Sequence, residues 1–278
     1  MTKKFIFGLI SVASFGAFAQ EAAPAQEAAP AQETPAMEQE KDYALSFSID
    51  QTLVSKYVWR GLVYNENLVN QGSATVGLDT DLGTFSANIW YNMDLHDEND
   101  QEYTFTEVDY TIAWEKEFDM MTLGAGVINY DYPHGTFGEG SYTDIYASVG
   151  LNFFLSPSVT VYYEVDDVNA AYVSFGAGHD FELEALNTTL SIGGALGYAS
   201  AGQSENFSGD DDSTARNEAK DFDGGFTDFA LTASLSFDIT ESLSISPFVT
   251  VSTLLEDARK NNSEDDNIFA GITASYTF

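Results

Sequence analysis

The sequence predicts an all-β fold, a transmembrane, antiparallel, up-and-down β-barrel of about twelve strands. Three observations predict it. Apolar and polar residues alternate with a period of two over most of residues 43–278, which is typical of strands with one apolar and one polar face. The predicted strands are about 10 to 14 residues long, which suits a tilted crossing of a bilayer better than a soluble β-sandwich, the alternative fold. Tight turns alternate with longer acidic loops, as in bacterial outer-membrane barrels.

The final segment shows the alternation most clearly. Ile268 and Ile272 fall on one face of the predicted strand, and Thr273 falls on the other. Two strands, near 120–132 and 187–199, alternate poorly because they are rich in glycine. The even strand count places both ends of the mature chain in the periplasm. The full set of predicted strands lies near 44–60, 71–82, 84–95, 103–117, 120–132, 142–154, 158–167, 169–182, 187–199, 226–238, 242–255 and 267–278.

The start of the chain has the three parts of a secretory signal peptide. Lys3 and Lys4 form a basic start, an apolar stretch follows, and Ala17-Phe18-Ala19 matches the pattern of a cleavage site. We therefore expect residues 1–19 to be removed on export; a membrane anchor, the alternative, needs a longer span. Residues 20–42 are rich in Ala, Pro and Glu and repeat EAAPAQ, which predicts a disordered periplasmic leader before the barrel of residues 43–278.

Composition and charge exclude several classes of protein. The chain has 44 acidic and 10 basic residues and a formal net charge of −34, which argues against nucleic acid as a partner. Cysteine is absent, so the chain has no disulfide, no thiolate metal site and no cysteine nucleophile. No later run of about 18 apolar residues predicts a membrane helix. No pattern predicts a cofactor.

An enzyme is not expected. Of the three histidines, His96 and His134 fall on predicted outer loops, and His179 has the parity of the apolar face. No Asn-His-Ser arrangement of an outer-membrane phospholipase and no outer-membrane protease pattern is present. Three acidic loop clusters offer oxygen ligands for weak Ca²⁺ or Mg²⁺ binding, although a solvated, self-repelling loop is the alternative. The clusters are residues 97–100, 209–212 and 264–266.

The polar faces of the predicted strands carry many more acids than bases. In a barrel that face lines the lumen, where charge is tolerated inside a bilayer. Arg60 and Lys56 are the basic exceptions, and either could pair with Glu107 or Asp109. The pore-lining candidates are Lys56, Arg60, Asn88, Asn92, Asp94, Glu107, Asp109, Glu115, Glu164 and Asp166, with Asp50, Asp180 and Asp228 on the same face.

Aromatic residues recur at the ends of the predicted strands, where amphipathic rings favour the lipid interface. The chain ends on Phe278 with Tyr276 and Ile272 in alternation, similar to the C-terminal signal that the barrel-assembly machinery recognises in its clients. Outer-membrane lipid and lipopolysaccharide are the other expected partners. The strand-end aromatics are Tyr57, Trp59, Tyr91, Trp114, Tyr132, Tyr142, Phe153, Phe181, Tyr198 and Phe237.

Two segments carry a family resemblance. Ser55-Lys56-Tyr57-Val58-Trp59-Arg60-Gly61, followed by Gln71-Gly72, resembles the S-x-Y-x-x-R-G opening and later Gln-Gly of the TorF-like family of outer-membrane porins. The segment from Gly83 to Trp90 is similar to that family's next strand. The resemblance covers about 50 residues well and implies an outer-membrane barrel with a transport role.

These observations favour a passive outer-membrane channel for small hydrophilic solutes with a preference for cations, because an acidic lumen concentrates counter-ions. Two alternatives remain at this point. A structural or surface-interaction barrel would have a lumen plugged by an internal ion-pair network and would use its acidic outer loops for cations. An outer-membrane hydrolase is the third possibility.

Overall fold

The computed structural model describes residues 44–96, 103–133, 140–166, 168–186, 188–203, 207, 222–262 and 265–278. Within these residues, twelve strands close into one antiparallel barrel, as the sequence predicts. The predicted signal peptide, leader and His134, and most of the acidic clusters, lie outside the described residues. Among the described residues, no helix has the length and apolar character needed to cross a membrane.

The barrel strands follow the chain, each pairing with its sequence neighbours, and the first barrel strand also pairs with the last. A short helix, α1 (Glu256–Asn261), precedes the final strand. The barrel strands are β1 (Ala44–Val54), β4 (Val69–Thr80), β5 (Gly83–Asp94), β6 (Phe105–Glu117), β7 (Met121–Asp131), β8 (Ser141–Leu151), β9 (Ser158–Glu164), β10 (Ala171–Leu183), β11 (Thr188–Ser200), β12 (Gly224–Asp238), β13 (Leu243–Leu254) and β14 (Asp266–Thr277).

The predicted first strand differs from the observed one. It ends at Val54 instead of continuing to residue 60, and two short strands, β2 (Tyr57–Trp59) and β3 (Leu62–Asn65), form a separate two-stranded sheet. Val54 and Val69 are cross-strand partners, so residues 55–68 leave and rejoin the barrel at neighbouring points. We call the end of the barrel where this excursion begins the hairpin end and the opposite one the termini end.

The outward face of the barrel is apolar. Along β14, Ile268, Ile272 and Tyr276 are exposed, while Phe269 and Thr273 between them are buried. This is the predicted period of two, with the apolar residues turned away from the interior. Exposed apolar residues of this kind occur around the whole circumference: Phe47, Ile89, Ile112, Val127, Ile145, Val161, Phe175, Ile192, Leu231, Val249 and Ile268.

The two glycine-rich segments are complete strands, β7 and β11. In β11, a Cβ added to Gly197 would collide with the carboxylate of Asp228 and the hydroxyl of Tyr172. Glycine therefore makes room on the inner face for large side chains of neighbouring strands. This explains why the alternation there is weak in sequence although the strand is long.

Candidate functional site

The β2–β3 hairpin lies inside the hairpin end of the barrel. Tyr57, Val58, Trp59 and Arg60 are only 2–5% exposed. Their side chains contact residues of six consecutive barrel strands, β5 to β10. Side chains of a surface loop would be open to solvent, so the hairpin is packed across the lumen. The connection between the first two predicted strands, residues 61–70, therefore begins inside the barrel, and only residues 66–68 of it are exposed.

The tip of the hairpin is a two-residue turn made by Arg60 and Gly61. Both have positive φ, 49° and 80°, as a tight hairpin with a type I′ turn requires. A Cβ on Gly61 would lie 2.8 Å from Cβ of Asp228 and 2.6 Å from Cδ2 of Leu254. Glycine is thus needed at this position for two reasons: its positive-φ backbone conformation and its close approach to the wall.

Replacing Gly61 with Ala is therefore expected to weaken hairpin docking. The left-handed backbone alone costs about 1–2 kcal/mol in an L-residue, and displacement of Leu254 adds to that. Urea unfolding of the refolded barrel measures the loss. Gly140→Ala is the matched control, because Gly140 also has positive φ (109°) but nothing within 4 Å of its missing Cβ. Equal losses in the two variants would contradict the close contact at the tip.

Arg60 is held by one carboxylate and three aromatic rings. Its Nη2 donates to Oδ2 of Asp144 on β8 at 3.2 Å, and both side chains are buried. Its guanidinium carbon lies 4.1 Å from the ring centre of Trp59, 4.1 Å from that of Tyr172 and 5.2 Å from that of Tyr162. Removing a cation from water is costly, and the ion pair and ring faces together offset that cost.

The wall around Arg60 is itself hydrogen-bonded. The Tyr172 hydroxyl donates to the Asp228 carboxylate, at 2.9 Å from Oδ1 and 3.2 Å from Oδ2. Thr227 donates to the same carboxylate at 2.8 Å. The Tyr130 hydroxyl lies 3.5 Å from Oδ2 of Asp144, the oxygen that Arg60 also binds. Docking of the hairpin tip thus depends on side chains that are already fixed in place.

The base of the hairpin binds a second region of the wall. The Tyr57 hydroxyl donates to Oε2 of Glu107 on β6 at 2.6 Å. Its ring lies 5.8 Å from that of Trp90 on β5 and 5.3 Å from that of Tyr64 on β3. Lys56 Nζ donates to Oδ1 of Asn267 on β14 at 3.2 Å. The hairpin is therefore attached at its tip and at its base, on different sides of the lumen.

Four of the predicted interface aromatics lie inside the barrel instead. Tyr57 and Trp59 belong to the hairpin, and Tyr132 on the wall is buried. Tyr142 stacks on Tyr130 with ring centres 4.6 Å apart. Their assignment to the lipid interface is wrong, because a ring that suits an interface also suits a packed interior. Phe153, Phe181, Tyr198 and Phe237 are exposed, as predicted.

The two basic pore-lining candidates are not on the barrel wall. Arg60 and Lys56 belong to the hairpin segment, and their partners are Asp144 and Asn267. The pairing with Glu107 or Asp109 considered from the sequence is not what forms, because the hairpin carries Arg60 across the lumen to β8.

The other candidates near the hairpin end are buried on the wall. Asn92 accepts a hydrogen bond from Gln71 at 3.1 Å and donates to Asp94 at 3.0 Å. Glu107 accepts from Tyr57, and Asp109 is fully buried beside it on the same face of β6. These acids contact the packed hairpin and its surroundings.

The remaining four candidates lie apart from the hairpin. Asn88 donates to Thr75 at 2.7 Å, and Glu115 is half-buried towards the termini end. Glu164 accepts hydrogen bonds from the backbone N–H groups of Asp166, Val168 and Asn169, so it holds the connection between β9 and β10. Asp166 lies beyond the end of β9 and is exposed.

The interior changes character towards the termini end. There many inward-facing residues are short and polar, with acids such as Glu115 among them, and they are half-buried where those beside the hairpin are fully buried. Nearer the hairpin, hydroxyl pairs join adjacent strands, such as Thr52 with Thr273 and Thr232 with Thr250, each at 2.8 Å. We call the half-buried part of the interior at the termini end the vestibule; its residues include Ser48, Thr75, Ser86, Asn88 and Ser148. The interior is therefore open to water at the termini end. The exposed fraction of the inward side chains falls to 2–5% at the hairpin residues Tyr57 to Arg60.

His96 and His179, the two histidines that the structure describes, do not lie beside a set of possible catalytic residues. His96 is exposed after the end of β5. His179 lies among rings, 5.0 Å from Phe154 and 4.8 Å from Phe181 between centres, which fits its predicted apolar-face parity. The part of the chain that the structure describes contains no group of three or more acidic or histidine side chains placed to hold a metal ion.

Sequence reasoning missed the residues that receive the hairpin. Asp144, Tyr162 and Tyr172 lie on three consecutive strands, far from Arg60 in sequence. One local signal was available: Tyr57-Val58-Trp59 breaks the alternation, and Arg60-Gly61 follows directly as a two-residue turn.

The chain matches one family model and is similar to solved structures. A family model described as "Bacterial protein of unknown function (Gcw_chp)" matches residues 38–230. No curated protein matches the sequence. Among solved structures, the chain is similar to a "KdgM porin" (12% identity, TM-score 0.46, 83% of this chain and 99% of that one). It is also similar to the "COG4313 outer membrane channel from Pseudomonas putida F1" (13%, 0.45, 89% and 100%).

Proposed function

The chain belongs to the Gcw_chp family of bacterial proteins of unknown function, and we propose that it is an outer-membrane channel for small hydrophilic solutes, kept closed or narrow by its inward hairpin. The observation that carries the proposal is the β2–β3 hairpin packed across a closed barrel whose remaining interior is polar and open to water at the termini end. A barrel with only a structural role would not need a water-accessible vestibule.

The outward apolar face supports the outer-membrane location. Exposed Leu, Ile, Val and Phe side chains around a closed sheet would be unstable in water, whereas lipid accommodates them, and closure leaves no unpaired strand edge. The predicted signal peptide supports export, with the termini in the periplasm and lipopolysaccharide around the outer rim. Exposed Phe278 and Tyr276 remain available to the barrel-assembly machinery. The TorF-like name stays a prediction.

Cation preference follows from the charges on the interior face. Arg60 is the fully buried base among the described residues, and acids outnumber it. A low-dielectric wall with this excess of negative charge concentrates cations. The buried acids with hydrogen-bond or ion-pair partners are Asp50, Asp94, Glu107, Asp144, Glu164 and Asp228.

Single-channel recording of the refolded mature protein in a planar bilayer under a salt gradient tests this function. We expect brief or small openings, because the hairpin fills the lumen. We also expect the reversal potential to lie towards the equilibrium potential of the cation. A lipid bilayer without protein is the control. An anion-selective reversal potential would contradict the charge argument. The hairpin-free barrel is the variant in which an Asn-Gly turn replaces residues 55–68 between the paired Val54 and Val69; if it carries no current, the channel itself is contradicted.

A closed barrel with a structural or surface role is the second candidate. The observation that favours it is the attachment of the hairpin at both ends, with Arg60 and Tyr57 fully buried. Permanent silence of the wild-type protein, together with steady current from the hairpin-free barrel, would select this second function.

A further inference from the structure

The buried carboxylate of Asp109 is not compensated in the way that its neighbours are. It is 0% exposed, and no donor among the described residues gives a hydrogen bond to either of its oxygens. Asp144 has Arg60, Asp228 has Tyr172 and Thr227, and Glu107 has Tyr57. Burying an ionised carboxylate without such partners is so costly that the group is expected to become neutral instead.

The groups that face Asp109 include other acids. Glu107 lies on the same face of β6, Asp131 and Tyr130 lie on β7, and Asp144 lies on β8. From the hairpin, Tyr57 approaches Asp109 and is already used as a donor to Glu107. The β5 neighbour is Trp90, which cannot ionise. Tyr64 of the hairpin and Tyr132 beyond the end of β7 face Glu107. Arg60 is engaged by Asp144.

We propose that the docked hairpin keeps one proton on the Glu107–Asp109 pair, resting on Asp109, and that undocking the hairpin releases this proton. The inference rests on the proposed function only in treating the hairpin as a movable plug. Undocking admits water to both carboxyl groups, and each then ionises as an ordinary acid does. No bond other than the O–H bond of the acid is broken, and the proton passes to solvent.

The sign of the pH dependence follows from proton linkage. The docked state holds one more proton than the undocked state at pH values above the ordinary range for Asp, about 4, and below the range in which Asp109 ionises in the docked state. The docked state is therefore favoured at low pH and loses its advantage as pH rises. For one proton, the ratio of undocked to docked protein rises about tenfold per pH unit, until Asp109 ionises within the docked state as well.

Cysteine labelling measures undocking directly, because the natural chain contains no cysteine. Val58→Cys places a thiol on the buried hairpin, where a membrane-impermeant maleimide reacts only after undocking. Ser141→Cys is the exposed reference, and dividing the two rates removes the pH dependence of the thiol itself. Between about pH 5 and about pH 8 we expect the ratio to rise close to tenfold per unit.

Asp109→Asn is the decisive variant, because it keeps the size of the side chain and cannot ionise. In the Val58→Cys background it is expected to give a labelling ratio that is low and nearly independent of pH. Asp180→Asn, which removes an exposed acid near the termini end, should leave the slope unchanged. A flat ratio in the protein with Asp109 intact, or an unchanged slope in Asp109→Asn, would overturn the proposal.

This test is separable from that of the channel. Labelling reports hairpin position whether or not ions pass, and current through the hairpin-free barrel reports the channel whether or not the hairpin responds to pH. A flat labelling ratio with a conducting hairpin-free barrel rejects the proton-linked plug alone.

Discussion

Removal of the inward hairpin is expected to turn the barrel into a steadily open channel, with conductance severalfold above that of the wild-type protein. Val54 and Val69 are cross-strand partners, so an Asn-Gly turn can replace residues 55–68 and join β1 to β4 as an ordinary two-residue hairpin. The twelve-stranded wall keeps all its strand pairs in this variant. Planar-bilayer recording gives the conductance, and the salt gradient gives the ion preference.

The physical reason is the distribution of solvent access. The residues of the vestibule are half-buried, whereas Tyr57, Trp59 and Arg60 of the hairpin are buried and close the interior. Removing them exposes Glu107, Asp144 and Asp228 to the opened lumen. Cation preference should therefore persist or increase in the hairpin-free barrel. A folded but silent variant would show that the wall itself closes the lumen and would remove the basis of the proposed function.

Substitution of Arg60 by Ala has the second largest expected effect. It leaves Asp144 buried without its cation and removes contacts with Trp59, Tyr162 and Tyr172. Breaking a buried ion pair from one side costs about 3–5 kcal/mol. Since undocking restores water to Asp144, this cost is expressed as hairpin release, and Val58→Cys labelling should accelerate by a factor of about 100 or more.

Lys56→Ala is the matched control for that variant. It removes the other basic residue of the same segment. Lys56 makes one hydrogen bond, to the uncharged side chain of Asn267, and is only half-buried. Its effect on labelling should be small, within about 1 kcal/mol. Combining Arg60→Ala with Asp144→Asn should recover part of the docking, because the carboxylate left by the first change is removed. Equal effects of Arg60→Ala and Lys56→Ala would contradict the central role of the Asp144 pair.

The sequence by itself determined the barrel. A period of two follows from strand geometry once one face meets lipid and the other an enclosed polar space, so each strand carries its own evidence. The predicted strand near 142–154, for example, corresponds to β8 (Ser141–Leu151). Parity along the strands likewise identified Glu107, Asp109 and Asp228 as inward-facing before any contact was known.

Only the tertiary structure decided what fills the barrel. Tyr57 and Trp59 suit a lipid interface as well as a packed interior, and a three-residue strand is too short for its alternation to distinguish them. Arg60 pairs with Asp144, which is separated from it by 84 positions in the sequence. The pair forms because the closed barrel places this part of β8 beside the hairpin tip. Strand periodicity is a local property and can be read along the chain, whereas the docking of the hairpin depends on closure of the whole barrel around it.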